Sequence, residues 1–361
     1  MLSKSMTIKV PGKLMIAGEF AVLEPHHHLA VMAVNRFVYA TIERTTANGL
    51  TLHDLNLQDL EWGYANNEIT ILTDDDRVRF VRDAMTISYT YLREQNITIN
   101  PFHLSIRSEL DDETGIKYGL GSSAAVVTSV VKAILKEFLI EEPMPELVFK
   151  LAAISHVKTQ GNGSGADVAA SSYGGLLQYT SFQADWLKGA YYHRNSVTEL
   201  VEQDWVYYSS RTIIMPRNVH FCVGWTGKPA STAKLVDEIL QLKIDKPAAF
   251  ESFLKKSDEA VADFLTGVNE GNIDLLLKGV KENREALATV GRHANISIET
   301  PLLSKLCDLA ESLGGAGKPS GAGGGDCGIA FMPTKEKADE LMEAWEKAGI
   351  KALNLRPSNA E

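Results

Sequence analysis

The chain has 361 residues, of which 45% are apolar and 23% are charged, and its formal net charge is -10. These values are ordinary for globular proteins, so they exclude fibrous and disordered classes, and the length predicts two domains. The acidic balance argues against a broad basic face for nucleic acid, whereas a few focused cations suffice to bind a small anion.

The first part of the chain mixes strand and helix signals. Apolar residues alternate over residues 102–106 as in a strand, and they recur at helical spacing over 78–94 and after residue 124. Strands are predicted over residues 8–10, 29–42, 51–57, 69–72, 102–106 and 176–179, and helices over 78–94, 124–139 and 145–158.

The second part is rich in helices. Strands are predicted over residues 219–225, 329–332 and 351–355, and helices over 231–242, 248–266, 273–290, 302–313 and 335–348. The change in character near Met215-Pro216 divides the chain into an N-terminal domain, residues 1–217, and a C-terminal domain, residues 218–361. The fold class is therefore predicted as α+β with two domains.

The cysteines and the apolar runs of the sequence indicate in which cellular compartment the protein would be found. Cys222, Cys307 and Cys327 are far apart and odd in number, and they lack the paired spacing of a zinc site. This pattern predicts reduced thiols in a cytoplasmic protein. No run approaches the roughly 18 apolar residues of a membrane span, so no membrane partner is expected.

Residues 119–125 (GLGSSAA) precede a predicted helix. A helix N-terminus offers unpaired N–H groups and a positive dipole end, so the segment fits a phosphate site, and it equally fits a tight turn that caps a helix. The Gly-x-Gly-x-x-Ala spacing also matches a dinucleotide fingerprint, but the polar residues 111–118 stand where that motif needs an apolar strand. No Walker A sequence occurs in the chain.

Two charged residues stand beside glycines. Lys13 follows Pro11-Gly12, where the first strand is predicted to end, and from there it could reach a phosphate or a carboxylate; a surface lysine after a turn is the simpler interpretation. Asp167 follows the glycine-dense residues 161–166 and opens a predicted helix. Helix capping explains such an aspartate, as does a catalytic or metal-linked role.

Two further segments are unusual. Residues 224–232 lead into a helix, where Ser231 or Thr232 could bind an anion or simply cap the helix. Residues 318–328 contain so many glycines that ordering them carries a large entropic cost. A loop that lies flat against a ligand or another loop accounts for that cost, and a flexible connector does not.

Taken together, three of these segments resemble the signatures of the GHMP kinase superfamily. They are Pro11-Gly12-Lys13-Leu14 with Gly18-Glu19, residues 119–125, and residues 320–325 (SGAGGG), in the expected order across nearly the whole chain. The resemblance implies an N-terminal mixed α/β domain with a left-handed β-α-β unit and a ferredoxin-like C-terminal domain. ATP and the substrate would meet between the two domains.

The resemblance also implies roles for individual residues. Lys13 and Asp167 would be catalytic, beside the phosphoryl group that is transferred. The ATP-binding residues would be Lys117, Gly119, Leu120, Gly121, Ser122, Ser123 and Ala124. The substrate-binding residues would be Lys13, Lys117, Ser164, Ser231, Ser320, Gly321, Ala322 and Gly323. Ser123 would lie near Mg²⁺, and His156 stands where mevalonate kinases have a magnesium-binding glutamate.

Within the superfamily, residues 224–231 and Asp326-Cys327-Gly328 are similar to bacterial phosphomevalonate kinases, and Phe20 replaces a histidine that is usual in mevalonate kinases. The implied reaction is the ATP-dependent and Mg²⁺-dependent phosphorylation of 5-phosphomevalonate to 5-diphosphomevalonate in the mevalonate route to isopentenyl diphosphate. The expected partner is this small phosphorylated substrate, with no nucleic acid and no membrane, and the protein would be a monomer or a homodimer.

Other functions remain open. A related kinase of mevalonate, homoserine or a sugar is the nearest alternative. A non-catalytic ligand sensor is the next, although such relatives tend to lose the catalytic lysine or aspartate, and Lys13 and Asp167 are both present. A nicotinamide dehydrogenase is the weakest alternative.

Overall fold

The computed structural model describes residues 5–230 and 232–359, and these residues form two β-sheets and eleven α-helices. The strands are β1 (Met6–Ala17), β2 (His28–Arg44), β3 (Gly49–Leu52), β4 (Leu57–Ala65), β5 (Glu68–Ile71), β6 (Phe102–Ser108), β7 (Leu176–Thr180), β8 (Ser209–Ile213), β9 (His220–Trp225), β10 (Ala316–Pro319), β11 (Cys327–Met332) and β12 (Lys351–Leu353). The helices are α1 (Arg79–Glu94), α2 (Ser122–Phe138), α3 (Pro145–Gln160), α4 (Ala166–Tyr173), α5 (Ala184–His193), α6 (Val197–Glu202), α7 (Thr232–Asp245), α8 (Pro247–Glu270), α9 (Ile273–Ala294), α10 (Pro301–Ser312) and α11 (Lys335–Lys347).

The first sheet has eight strands, in the order β5-β4-β3-β6-β2-β7-β8, with β1 paired to β2. Strands β6 and β7 both pair antiparallel with β2, so they run parallel to each other. The chain passes from one to the other through α2, α3 and α4, which is a β-α-β connection. This connection places the start of α2, with its glycine-rich lead-in, beside β1.

The second sheet has four antiparallel strands in the order β10-β11-β9-β12. Together with α10 and α11 these strands follow a β-α-β-β-α-β path, in which α7, α8 and α9 are additional helices after β9. Numbered along that path, the strands lie in the order 2-3-1-4, which is the ferredoxin-like arrangement predicted for the C-terminal half.

Apolar periodicity explains how the helices pack. Along α2, Val127, Val130, Val131 and Ile134 are fully buried, which confirms the predicted apolar stripe. The main hydrophobic cluster contains Val31 of β2 as well as Phe331 of β11, so one core joins the two sheets.

The first strand differs from its prediction. Strand β1 does not end at Pro11-Gly12 but continues to Ala17, with a bulge between Pro11 and Gly12. Proline lacks an N–H group, which would break a hydrogen bond in the middle of a sheet. Because β1 pairs with β2 alone, one side of β1 has no neighbouring strand that needs this donor.

Other elements were not predicted. Helices α5 and α6 are short and lack a wide apolar stripe, and β10 lies inside the glycine-rich run 314–328. The first sheet ends at Ile213 and the second begins at His220, on either side of residue 217, and the domain boundary itself stays a prediction.

The location predictions also stay open. Cys222, Cys307 and Cys327 are buried free thiols, as predicted for reduced cysteines. Within the described ranges, no helix has both the length and the apolar character that crossing a membrane requires. A cytoplasmic location remains a prediction.

Candidate active site

The glycine-rich segment 119–125 forms the start of α2. Gly121 precedes the helix in the left-handed conformation, with φ 76° and ψ 41°, and Ser122 and Ser123 are the first two helical residues. The helix thus begins before the predicted start at Ala124, because the turn at Gly121 lets both serines enter the first helical turn. The N–H groups of such a turn have no partner inside the helix, which makes it an anion site.

Lys13 lies on β1, directly after the bulge, and it is held on this loop in two ways. Its backbone N–H donates to the Leu120 carbonyl oxygen at 2.8 Å, and its Nζ donates to the Gly119 carbonyl oxygen at 3.3 Å. The side chain is half-buried, so the ammonium group is fixed near the loop and not spread through solvent. The structure therefore places a cation where the loop would receive phosphate.

Asp167 lies in the first turn of α4 and comes close to the same point. A Cβ atom added to Gly121 would lie 3.0 Å from Cγ of Lys13, 3.1 Å from its Cε and 3.5 Å from Cβ of Asp167. The hydroxyl of Ser171, on the same helix, donates to the Pro11 carbonyl oxygen at 2.8 Å and so ties α4 to β1. Lys13 and Asp167 thus both lie beside the Cα atom of Gly121, and a larger residue there would collide with the lysine.

Ser123 and His156 form the third part of the site. The Ser123 Oγ lies 3.2 Å from Nε2 of His156, whose ring packs on Phe80 with ring centroids 5.5 Å apart. Burial lowers the pKa of His156 below its usual value of 6.5, while the Asp167 carboxylate acts in the opposite direction. A neutral imidazole that is unprotonated at Nε2 accepts a hydrogen bond from the Ser123 hydroxyl. The lone pairs of the Ser123 oxygen then remain available for another partner.

The burial of His156 has a consequence for stability. Below about pH 6.5 His156 becomes protonated in the unfolded chain, whereas in the folded protein its lowered pKa keeps it neutral. The unfolded state therefore binds more protons, and the free energy of unfolding falls as the pH falls. We expect the loss to reach at most about 1.4 kcal/mol per pH unit, and His156→Gln to remove that part of the slope. Urea unfolding at several pH values between 7.5 and 5 measures it.

The matched control for that measurement is the exposed His293, near the end of α9. His293→Gln should keep the slope of the wild type. If His156→Gln and the wild type lose stability in parallel as the pH falls, His156 is not the group responsible.

The residues predicted to bind the acceptor are distributed around this centre. Lys117 is exposed, and its backbone pairs with Asp111 in an isolated bridge just before the loop. Ser164 precedes α4, where its Oγ accepts a hydrogen bond from the Ala166 N–H at 3.3 Å. Ser231 lies outside the described residues. The binding roles of all three stay predictions.

The third glycine-rich segment is attached to the end of β1. The hydroxyl of Ser320 donates to the Met15 carbonyl oxygen at 2.9 Å, and the Gly321 N–H donates to Oε1 of Glu19 at 3.2 Å. Ala322 packs on the cluster that contains Phe20. The first and third signatures are therefore in direct contact, and the role of residues 320–323 in binding a ligand stays a prediction.

A buried ion pair lies at the base of this contact. Lys318 is fully buried and Glu19 is nearly so, and the Lys318 Nζ donates both to the Glu19 carboxylate and to the Pro319 carbonyl oxygen. Glu19 lies in the first signature and Lys318 lies two residues before the third, but nothing in the sequence indicates that they are paired. A charged residue at each of two glycine-rich signatures is the one signal that could have suggested the contact.

A cavity opens beside the end of α3. Its volume is about 640 Å³, and it lies between β5, the start of α1 and the end of α3. Its walls are polar and carry charges of both signs: the cations Arg79, Arg82 and Lys158, and the carboxylates Glu68, Asp74, Asp75, Asp76 and Asp83. The sequence did not indicate this cavity, because its walls come from elements that are separate along the chain.

Comparison with known proteins gives the family. Residues 80–175 match the family described as GHMP kinases N terminal domain, and residues 264–351 match GHMP kinases C terminal. A phosphomevalonate kinase of Streptomyces sp. (strain CL190) is 32% identical to this chain over 96% of each protein. A Lin0012 protein from Listeria innocua superposes with a TM-score of 0.94 at 38% identity over 99% of both chains. The Streptococcus pneumoniae phosphomevalonate kinase in complex with phosphomevalonate and AMPPNP superposes with a TM-score of 0.85 at 27% identity, over 98% of this chain and 99% of that one.

Proposed function

The chain belongs to the GHMP kinases, and we propose that it transfers the terminal phosphoryl group of ATP to 5-phosphomevalonate, giving ADP and 5-diphosphomevalonate. The observation that carries the proposal is the meeting of Lys13 and Asp167 beside Gly121, at the N-terminus of α2. Similarity over almost the whole chain to a phosphomevalonate kinase supports this choice of acceptor.

The chemistry suits this arrangement. A phosphomonoester has a second pKa near 6, so at pH 7 the acceptor phosphate is mostly dianionic and already nucleophilic. One of its oxygens forms a bond to the terminal phosphorus of ATP while the bond from that phosphorus to the bridging oxygen breaks, and ADP leaves with the electron pair. The main obstacle is the repulsion between two polyanions. A fixed cation such as the Lys13 ammonium group reduces it, and the first turn of α2 orients the phosphates in line.

Asp167 has a supporting role in this scheme. Because the acceptor oxygen carries little proton at neutral pH, a general base is not needed, and the Asp167 carboxylate instead helps to orient Lys13, which lies beside it at Gly121. We expect Asp167→Asn to lower kcat by less than the ~10²-fold at which general-base effects begin. Steady-state kinetics with coupled ADP detection gives the value.

Asp185 provides the control, since it is an exposed aspartate in the first turn of α5 and Asp185→Asn should leave kcat unchanged. A loss of about 10²-fold or more in Asp167→Asn would show that the carboxylate does more than orient its neighbour.

Among the described residues, few side chains beside residues 119–125, which we call the phosphate loop, could bind Mg²⁺ directly. The described residues contain no group of three or more His, Cys, Asp or Glu residues that could enclose a metal. The Ser123 hydroxyl, which can donate its hydrogen bond to His156, and the Asp167 carboxylate are two of the oxygen groups beside the loop that could bind the ion. Mg²⁺ usually keeps several waters and bridges substrate phosphates, so this donor set is sufficient. When bound, the ion would neutralise charge on the phosphates of ATP.

We place the nucleoside of ATP in the cavity between β5, the start of α1 and the end of α3. Its volume of about 640 Å³ is within the usual range of small-ligand sites. Phe80, at the start of α1, packs on His156. His156 in turn contacts Ser123 of the phosphate loop. Arg79, the chain neighbour of Phe80, lines the cavity, so a nucleotide whose base enters it would have its phosphates directed past Phe80 and His156 toward α2.

The acceptor is tested by measuring ADP release with 5-phosphomevalonate and, separately, with mevalonate. We expect turnover with the phosphorylated compound and little above background with mevalonate, with Lys13→Met defining the background. Preferential turnover of mevalonate would make the chain a mevalonate kinase. Absence of ADP release with either compound would contradict the proposed function.

A further inference from the structure

Asp326 closes the third glycine-rich segment and contacts one stretch of chain through four hydrogen bonds. Its N–H donates to the Lys228 carbonyl oxygen at 2.7 Å, and its own carbonyl oxygen accepts from the amide and the hydroxyl of Thr226, both at 3.0 Å. Its Oδ1 accepts from the Ala230 N–H at 3.1 Å. We call residues 226–230 the acceptor segment, because they end directly before Ser231, a predicted substrate-binding residue.

The same side chain also rests on the phosphate loop. A Cβ atom added to Gly119 would lie 2.6 Å from both Cβ and Cγ of Asp326 and 2.7 Å from its Oδ2. The carboxyl group is therefore packed on the Cα atom of Gly119, and only glycine leaves room for it. Asp326 thus joins the acceptor segment, the third glycine-rich segment and the phosphate loop.

The charge of this carboxylate works against a bound anion. Burial raises the pKa of Asp326, whereas the Ala230 N–H and the charges of Lys13 and Lys117 lower it, so both lysines are within electrostatic reach. These are the two cations predicted to meet the reacting phosphates. A negative charge beside them weakens anion binding, so any benefit of Asp326 must come from the contacts that it makes.

We infer that Asp326 is a positioning residue, which holds the acceptor segment against the phosphate loop and thereby fixes the acceptor relative to ATP. This inference rests on the proposed function for its substrate. The contacts of the side chain rest on geometry alone: the Oδ1 bond with the Ala230 N–H and the close packing on Gly119. The other three hydrogen bonds are made by the Asp326 backbone and set the place from which the side chain acts. Fixing the acceptor segment lowers the KM of the acceptor, while the charge of the carboxylate raises it.

Two variants separate these opposed effects. Asp326 has φ 53°, a conformation that both asparagine and glycine adopt readily. Asp326→Asn keeps an oxygen for the Ala230 N–H and removes the charge, so the KM for 5-phosphomevalonate should equal or fall below that of the wild type. Asp326→Gly removes both, and because hydrogen bonds to charged groups are strong we expect that KM to rise about 10-fold to 100-fold. The KM for ATP should stay within about threefold in both variants, since only the acceptor segment is released.

A measurement that does not depend on turnover tests the contact itself. Amide hydrogen exchange over residues 226–230 should be faster in Asp326→Gly than in the wild type and close to the wild type in Asp326→Asn. Asp59→Gly is the matched control, because Asp59 is an exposed aspartate with φ 50°. It should change neither the exchange in this segment nor the KM of the acceptor.

The outcomes are distinct. The positioning role would be overturned if amide exchange over residues 226–230 were unchanged in Asp326→Gly. It would also be overturned if the KM of Asp326→Gly for 5-phosphomevalonate were at or below that of the wild type. If Asp326→Gly melts below the assay temperature, a rise of more than about tenfold in the acceptor KM of Asp326→Asn would overturn it as well, because charge would then be the dominant effect. Failure of the wild type to use 5-phosphomevalonate would contradict the proposed function alone, since the exchange experiment stands without it.

Discussion

Replacing Lys13 with methionine should lower kcat by about 10³-fold or more, while the KM for ATP changes far less. Lys13 is the cation that the structure fixes on the phosphate loop, through its Nζ bond to Gly119 and its backbone bond to Leu120. The negative charge that spreads over the transferring group is greatest in the transition state, so a preorganised ammonium group there acts mainly on kcat. Methionine keeps an apolar stem of similar length, so the half-buried position should stay filled.

Lys9 is the matched control for this experiment. It lies on the same strand, four residues earlier, with its Nζ 5.1 Å from the centroid of the Phe37 ring. Lys9→Met should keep kcat within about twofold, as is usual for substitutions away from the reacting groups, and thermal melting should show both variants folded. If Lys13→Met retains more than about a tenth of the wild-type kcat, the ammonium group does not stabilise the transition state.

What the sequence predicts well is local along the chain. The glycine and serines at 119–125 lie next to an apolar stripe of period 3.6, so a helix start with anion-binding potential follows from adjacent residues. The order of the three signatures predicted the family, and the comparisons confirm it. The ferredoxin-like half was predicted through the same resemblance, and its strand order confirms it.

What the sequence does not predict depends on contacts between distant segments. The pairing of Glu19 with Lys318 joins residues that are 299 positions apart, and the contact between Asp326 and Gly119 joins two glycine-rich loops of similar composition. No periodicity encodes such pairs, because each follows from how the two sheets pack on their shared core. The continuation of β1 through Pro11 has the same origin, since the pairing of β1 with β2 overrides the local preference of proline and glycine for a turn.

The buried pair of Lys318 and Glu19 should be the most sensitive point of the fold. The side chains are 0% and 3% exposed, and the second carboxylate oxygen of Glu19 has no hydrogen-bond partner among the described residues. The ammonium group is therefore the main compensation for a buried negative charge. Lys318→Met removes it, and we expect the free energy of unfolding to fall by about 3–5 kcal/mol, as found when one partner of a buried pair is lost.

A double variant and an exposed pair make this prediction specific. Glu19→Gln with Lys318→Met removes both charges and keeps an acceptor for the Gly321 N–H, so it should recover part of the loss of Lys318→Met. Lys335 and Asp339 form an exposed pair at 2.7 Å on α11, and Lys335→Met should cost below about 1 kcal/mol. Urea unfolding of the four proteins gives the comparison. If Lys318→Met is no less stable than Lys335→Met, the pair does not hold the first and third signatures together, and the contacts of Ser320 and Gly321 with β1 and Glu19 must be sufficient alone.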